Sequence, residues 1–178
     1  MEPARRLPHT YTTSQPLFVT FRLHGSLPAN RPFSREQILT SGKAFAAMDK
    51  LLDGAATGAL HLKRPEIAEI IAQAIKEGDY RFRRYALHAW VIMANHVHLL
   101  VTPNVIATRW LGPLKGYTSH EANKRTGTEG QPLWQDESYD HCVRNTESFA
   151  KIRLCIEQNP VKAGLVEDPK DFLWSSGR

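Results

Sequence analysis

Residues 80–102 read YRFRRYALHAWVIM, then AN, then HVHLLVT, and this stretch decides the fold. Two apolar runs, Tyr80–Met93 and His96–Thr102, flank Ala94–Asn95, a dipeptide suited to a tight turn. The pair predicts a β-hairpin. In the second run His96 and His98 are two apart, and alternate side chains of a strand share a face. Both imidazoles therefore project together, and Val97 and Leu99 point to the other side. Two neutral imidazoles side by side on a rigid strand make half of a divalent-metal site, whose third ligand must come from elsewhere. Eight histidines in 178 residues yield such a pair by chance in about one sequence in three. The bland alternative is two half-buried strand histidines bonded to neighbours. The pair lies in the most apolar part of the chain, where an unpaired polar ring is costly, and that favours the ligand reading.

Outward from the hairpin, the chain alternates further strand and helix signals. Leu17–His24 (LFVTFRLH) reads as a strand between Pro16 and Gly25. Ser34 with Gln37 has capping-box spacing and starts a helix predicted over 35–52. A second helix is expected from Pro65 to about Glu77, with Ile67, Ile70, Ile71 and Ile75 on one side. After the hairpin, Asn104 is a fair N-cap, Pro113 should kink or restart the helix, and Gly127 should end it. Leu133–Val143 should be extended. Thr146 can cap a helix over 147–158, ended by Pro160, and Trp174 can anchor the tail. This order predicts an α+β domain, an antiparallel sheet with helices packed mainly on one face.

Composition bounds the function. The 178 residues suit one domain over 17–178, preceded by a loosely ordered basic arm over 1–16 carrying Arg5 and Arg6. There is no run of 18 apolar residues and no secretory h-region, so a membrane span and a signal peptide are not expected. Two cysteines without CxxC spacing suit a reducing cytoplasm. A net charge of +5 favours an anionic partner, nucleic acid first.

Two groups on the helix after the hairpin bear on chemistry. Tyr117 and Glu121 are four apart and share a helical face. A carboxylate can complete a metal site while a phenol attacks. A divalent cation neutralises a phosphodiester oxygen, and a tyrosine hydroxyl conserves the bond energy in a covalent phosphotyrosine. The plainer readings are packing for Tyr117 and a surface pair with Arg125 for Glu121. Arg81, Arg83, Lys115, Lys124 and Arg125 are candidate phosphate contacts, with Arg81 and Arg83 on one strand face, and Trp110 and Trp134 are candidate stacking groups.

The blocks HAWVIMANHVHLLVTP, LKGYTSHEANK, LWQDESYDHCVR, IEQNPVKAGLV and WSS occur in this order from His88 to Ser176. Together they resemble the REP-associated tyrosine transposases, within the HUH (His-hydrophobic-His) single-tyrosine transposases. The resemblance implies a ferredoxin-like antiparallel sheet with the histidine pair on a central strand. It implies nicking and strand transfer of single-stranded DNA beside palindromic-repeat hairpins, through a 5′-phosphotyrosine link, with Mg²⁺ or Mn²⁺. It maps the metal ligands onto His96, His98 and Glu121, with His120 and Asn123 as alternatives for the third. The nucleophile maps onto Tyr117, with Tyr139 as its rival. It implies a nucleoid-associated bacterial protein, and relatives of this kind include monomers as well as homodimers with shared sites.

Overall fold

The computed structural model describes residues 13–26, 49–54 and 58–178. The helix expected over 35–52 and most of the N-terminal arm lie outside them, though residues 49–53 are helical. The elements are β1 (Leu17–Leu23), α1 (Pro65–Tyr80), β2 (Tyr85–Ile92), β3 (His96–Pro103), α2 (Leu111–Thr126), β4 (Trp134–Cys142), α3 (Thr146–Glu157) and α4 (Asn159–Lys162). The strands form one sheet in the order β2-β3-β1-β4, every neighbouring pair antiparallel. With β1-α1-β2-β3-α2-β4 connectivity, this is the ferredoxin-like α+β arrangement.

The sheet separates two apolar layers. Val97, Leu99 and Val101 of β3 pack with Ile67, Ile71 and Ile75 of α1 and with Leu114 and Ala122 of α2. On the other face, Leu100, Phe18, Ala89 and Val91 pack with Ile156 of α3, and Phe149 and Ile152 lie against them. Strand alternation therefore places His96 and His98 on the α3 face. The tail closes the β2 edge, where Ser175 bridges Val91 and Ile92 N donates to Trp174 O.

Several boundaries differ from the sequence reading for physical reasons. The hairpin's first strand starts at Tyr85, because α1 continues through Gly78 to Tyr80 and a turn follows over 81–84. Gly78 allows this: a Cβ there would overlap the Tyr85 phenol, whose hydroxyl donates to Ile75 O at 2.7 Å. Gly78→Ala is expected to cost at least about 2 kcal/mol through overpacking, read as a lowered urea midpoint at unchanged m. Pro113 neither kinks nor restarts a helix; it sits in the first turn of α2, where its missing N–H is harmless. Gly127 ends α2 as expected, in the left-handed conformation at φ 69°. Asn145, not Thr146, caps α3 by accepting from Ser148 N at 2.7 Å. Pro160 does not end the helical path, since Asn159–Lys162 forms one more turn.

Candidate metal centre

β3 is a central strand flanked by β2 and β1, so the histidines inherit a rigid base. His96 and His98 are 0% and 1% exposed, with ring centroids 4.6 Å apart. Helical residues 49–53 bring two carboxylates, Asp49 and Asp53, one turn apart. Asp49 Oδ1 lies 2.8 Å from His98 Nε2 and 3.5 Å from His96 Nε2. Asp53 Oδ1 lies 3.7 Å from His96 Nε2. From α4, Asn159 Nδ2 donates to Asp49 Oδ2 at 3.3 Å.

The hydrogen-bond network fixes the protons. Asn95 Nδ2 donates to Leu52 O at 3.0 Å, which turns the Asn95 carbonyl oxygen toward His96 Nδ1, 2.7 Å away. A carbonyl oxygen only accepts, so this assignment puts the proton of His96 on Nδ1. His96 Nε2 then presents a lone pair to two carboxylates. Among the described residues it has no hydrogen-bond partner, and neither do the buried Asp53 Oδ1 and Asn159 Oδ1. Buried acceptors facing one another without a donor are costly. A divalent cation would satisfy the His96 lone pair together with Asp49 and His98, whose ligand atoms lie within 4.8 Å of one another. His98 is also held from behind, its Nδ1 2.7 Å from Thr20 Oγ1 across the β1–β3 pair, while its Nε2 donates to Asp49 Oδ1 at 2.8 Å. An outer hydrogen bond on each imidazole is the usual support of a metal-ligating histidine.

Charges follow this geometry. Burial pushes the His96 imidazolium down, so the ring is neutral and ready to ligate. Burial pushes Asp49 up, but the neighbouring His96 and His98 rings, with His98 Nε2 at hydrogen-bond distance, outweigh that and hold it well below the usual carboxylate range. Asp53, chiefly by burial with the Asp49 charge adding, rises to about 6. The two shifts act oppositely on the metal-free protein. A histidine that declines a proton when folded loses stability as pH falls below about 6.5. A carboxyl that keeps its proton when folded regains stability over the same descent. Metal-free Asp53→Asn should therefore lose on the order of 1 kcal/mol between pH 7.5 and 5.5, and the unsubstituted chain clearly less, in urea titrations.

Among the described residues, Asp49, His96 and His98 form the one His/Cys/Asp/Glu cluster with metal-binding spacing. Glu121 is not in it. It stands on α2, whose buried side joins the opposite apolar layer, and its ion-pair neighbour is His120 at 3.9 Å. Asn123 is buried and donates to Gln131 O. Asp49 and Asn159 are the groups that sequence reasoning passed over.

The other nominated residues are dispersed. Tyr117 is 55% exposed on α2, on the far side of the sheet from the histidines. Tyr139 pairs with Thr20 on β1, so it shares the histidine face, with Phe18 6.2 Å from its ring. Burial raises its hydroxyl above the ordinary value. Cys155 is exposed on α3, one helical turn before Asn159. Trp134 does not offer a stacking face: it is 5% exposed, and its Nε1 donates to Thr118 Oγ1 at 2.9 Å. Trp110 is fully buried. Lys115 Nζ is tied to Gln135 O at 2.7 Å and Asp136 O at 3.1 Å, so it braces β4. Arg81 and Arg83 lie in the 81–84 turn rather than on one strand face, and Lys124 and Arg125 are exposed at the end of α2.

A ferredoxin-like sheet with a His-hydrophobic-His strand opposite a carboxylate defines a transposase-like domain of the HUH class. Residues 61–159 match the family described as "Transposase IS200 like". The chain belongs to that family. It is 28% identical over 100 residues to the REP-associated tyrosine transposase of Escherichia coli (strain K12), over 54% of this chain and 56% of that protein. The match thus spans little more than half of the curated relative. A solved REP-associated tyrosine transposase, bound to a REP hairpin, shares the fold with a TM-score of 0.54 at 20% identity, covering 99% of this chain and 82% of that one.

Proposed function

We propose that this protein cuts and rejoins single-stranded DNA beside palindromic hairpins, through a covalent protein–DNA intermediate and with Mg²⁺ or Mn²⁺ at the histidine centre. The observation that carries the reading is the convergence of Asp49, His96 and His98, whose ligand atoms lie within 4.8 Å of one another, with a buried His96 Nε2 that finds no hydrogen-bond partner among the described residues. His96, His98, Asp49 and Asn159 would hold the ion. When bound, it supplies neutralisation of a non-bridging phosphate oxygen. The chain's own residues do the rest. Asn95 holds the His96 imidazole in one tautomer, and Asn95 and Thr20 fix the orientation of the two rings. A phenol attacks phosphorus, its oxygen forms the new P–O bond, and the DNA 3′-oxygen leaves and takes up a proton. The reverse attack by a 3′-hydroxyl restores the phenol and joins the strands.

The fold sets conditions on the attacking phenol. Tyr139 lies on the histidine face and acts within one chain. Tyr117 lies beyond the sheet and acts only on the centre of a second copy, in a homodimer, and its exposure permits that. Denaturing electrophoresis with a labelled hairpin oligonucleotide and Mn²⁺ tests both. Tyr139→Phe abolishes the adduct if the attack is within one chain. If Tyr117→Phe abolishes it, mixing that variant with His96→Ala restores it only by attack between copies. Cys155→Ser is the control for the exposed thiol near Asn159. No adduct from the unsubstituted chain with any repeat hairpin, alongside tight binding, would identify a hairpin-binding protein that does not cut.

A further inference from the structure

At the end of the sheet remote from the histidines, the chain exposes an ordered group of aromatic and basic side chains. Tyr80, Phe82 and Ile106 are 59%, 49% and 47% exposed. Arg84 and Arg81 lie over the Phe82 ring, their guanidinium carbons 4.8 and 5.2 Å from its centre, and Arg83 stands between them in sequence. Gln73 Nε2 holds the Tyr80 hydroxyl at 3.0 Å. The backbone is tied down as well. Arg84 N donates to Gly78 O, and Asn104 N and Val105 N both donate to Arg84 O. Arg83 is in the left-handed region at φ 51°, a conformation that is unfavourable for a non-glycine residue. Asn104 Nδ2 steadies it by donating to Arg83 O at 3.0 Å.

Exposed rings cost little to desolvate when bases stack on them, and preset rings lose less rotamer freedom on binding. Three guanidiniums in four residues supply charge for phosphates and planar faces for bases. Among the described residues Arg83 and Arg84 make no ion pair, and Arg81 has only Glu77 at 3.4 Å. We propose that Tyr80, Phe82 and the 81–84 turn form a second DNA contact, a platform on which unpaired bases of a single strand stack while the arginines hold its phosphates. β3 spans eight residues from His96 to Pro103, and Pro103 pairs with Tyr85, which puts this platform about 23 Å from His96 at ordinary strand rise. It engages the single-stranded flank of a hairpin rather than the scissile phosphate, and so deepens the DNA reading on which it rests.

The test is fluorescence anisotropy of the full chain in EDTA, with a hairpin carrying a single-stranded flank of twelve nucleotides and the same hairpin without one. Phe82→Ala is expected to weaken binding of the flanked hairpin about 10-fold, as loss of one stacked base would, and to leave the unflanked hairpin unchanged. Phe82→Trp should restore it. Arg83→Ala should lower the salt slope of the flanked complex by about one. Equal weakening of both hairpins, or none, overturns the platform, and so does binding of anionic vesicles in place of the flank. The readout is separate from cutting. Flank-dependent binding without any Mn²⁺-dependent adduct would sink the cleavage reading and leave the platform standing, and normal adduct formation with no effect of Phe82→Ala would do the reverse.

Discussion

The double substitution His96→Ala with His98→Ala is expected to abolish the metal-dependent covalent adduct with hairpin DNA, a loss of at least about a thousand-fold, comparable to removing the main charge-stabilising group from other active sites. Hairpin binding in EDTA should survive, because the histidines contact no DNA in this account. The fold should survive too. Both rings lie over the sheet but belong to neither apolar layer, and their removal also relieves the unpaired Nε2 of His96. Asp49→Asn keeps the shape and removes one charge. It should weaken Mn²⁺ binding by about 10–100-fold. An adduct that forms at normal yield in the double variant would show that the chemistry lies elsewhere.

The second large effect is on stability. Trp110 is fully buried between α1, α2 and the sheet, with the Tyr85 ring 4.9 Å away edge-on. Trp110→Ala should cost about 3–5 kcal/mol, which for a chain of this size lowers the midpoint of thermal unfolding by about 10–15 °C. Its indole N–H has no hydrogen-bond partner among the described residues. Trp110→Phe removes that donor with most of the ring, and should cost less than about 1.5 kcal/mol. If calorimetry shows the two variants equally unstable, an unseen partner holds the indole.

What was legible in the sequence was local and periodic. The hairpin and the histidine pair follow from a period of two around Ala94–Asn95, and β1 and α1 from equally plain patterns. The boundary at residue 80 was not legible, because tertiary packing decides it: Gly78 lets Tyr85 close against α1. The third ligand was hidden for a related reason. Asp49 and Asp53 sit in MDKLLDG, where two carboxylates four apart look like a solvated helix face. Asn159 sits in NPVK, which reads as a helix stop. Only the folding of residues 49–53 and α4 over the histidine face brings them together. Glu121 had the right spacing from Tyr117, but spacing along one helix does not say which side of the sheet the helix covers. Trp134 and Lys115 looked like DNA-contacting types and serve β4 and α2 instead.

The central claim is that His96 and His98 bind a divalent cation together with oxygen ligands from Asp49 and Asn159. Electron spin-echo spectroscopy of Mn²⁺ added to the full chain reads it directly. The account predicts one bound ion with modulation from two histidine nitrogens, reduced to one in His96→Ala or His98→Ala and absent from the double variant. Bound Mn²⁺ without nitrogen coupling, or coupling that persists in the double variant, would contradict it.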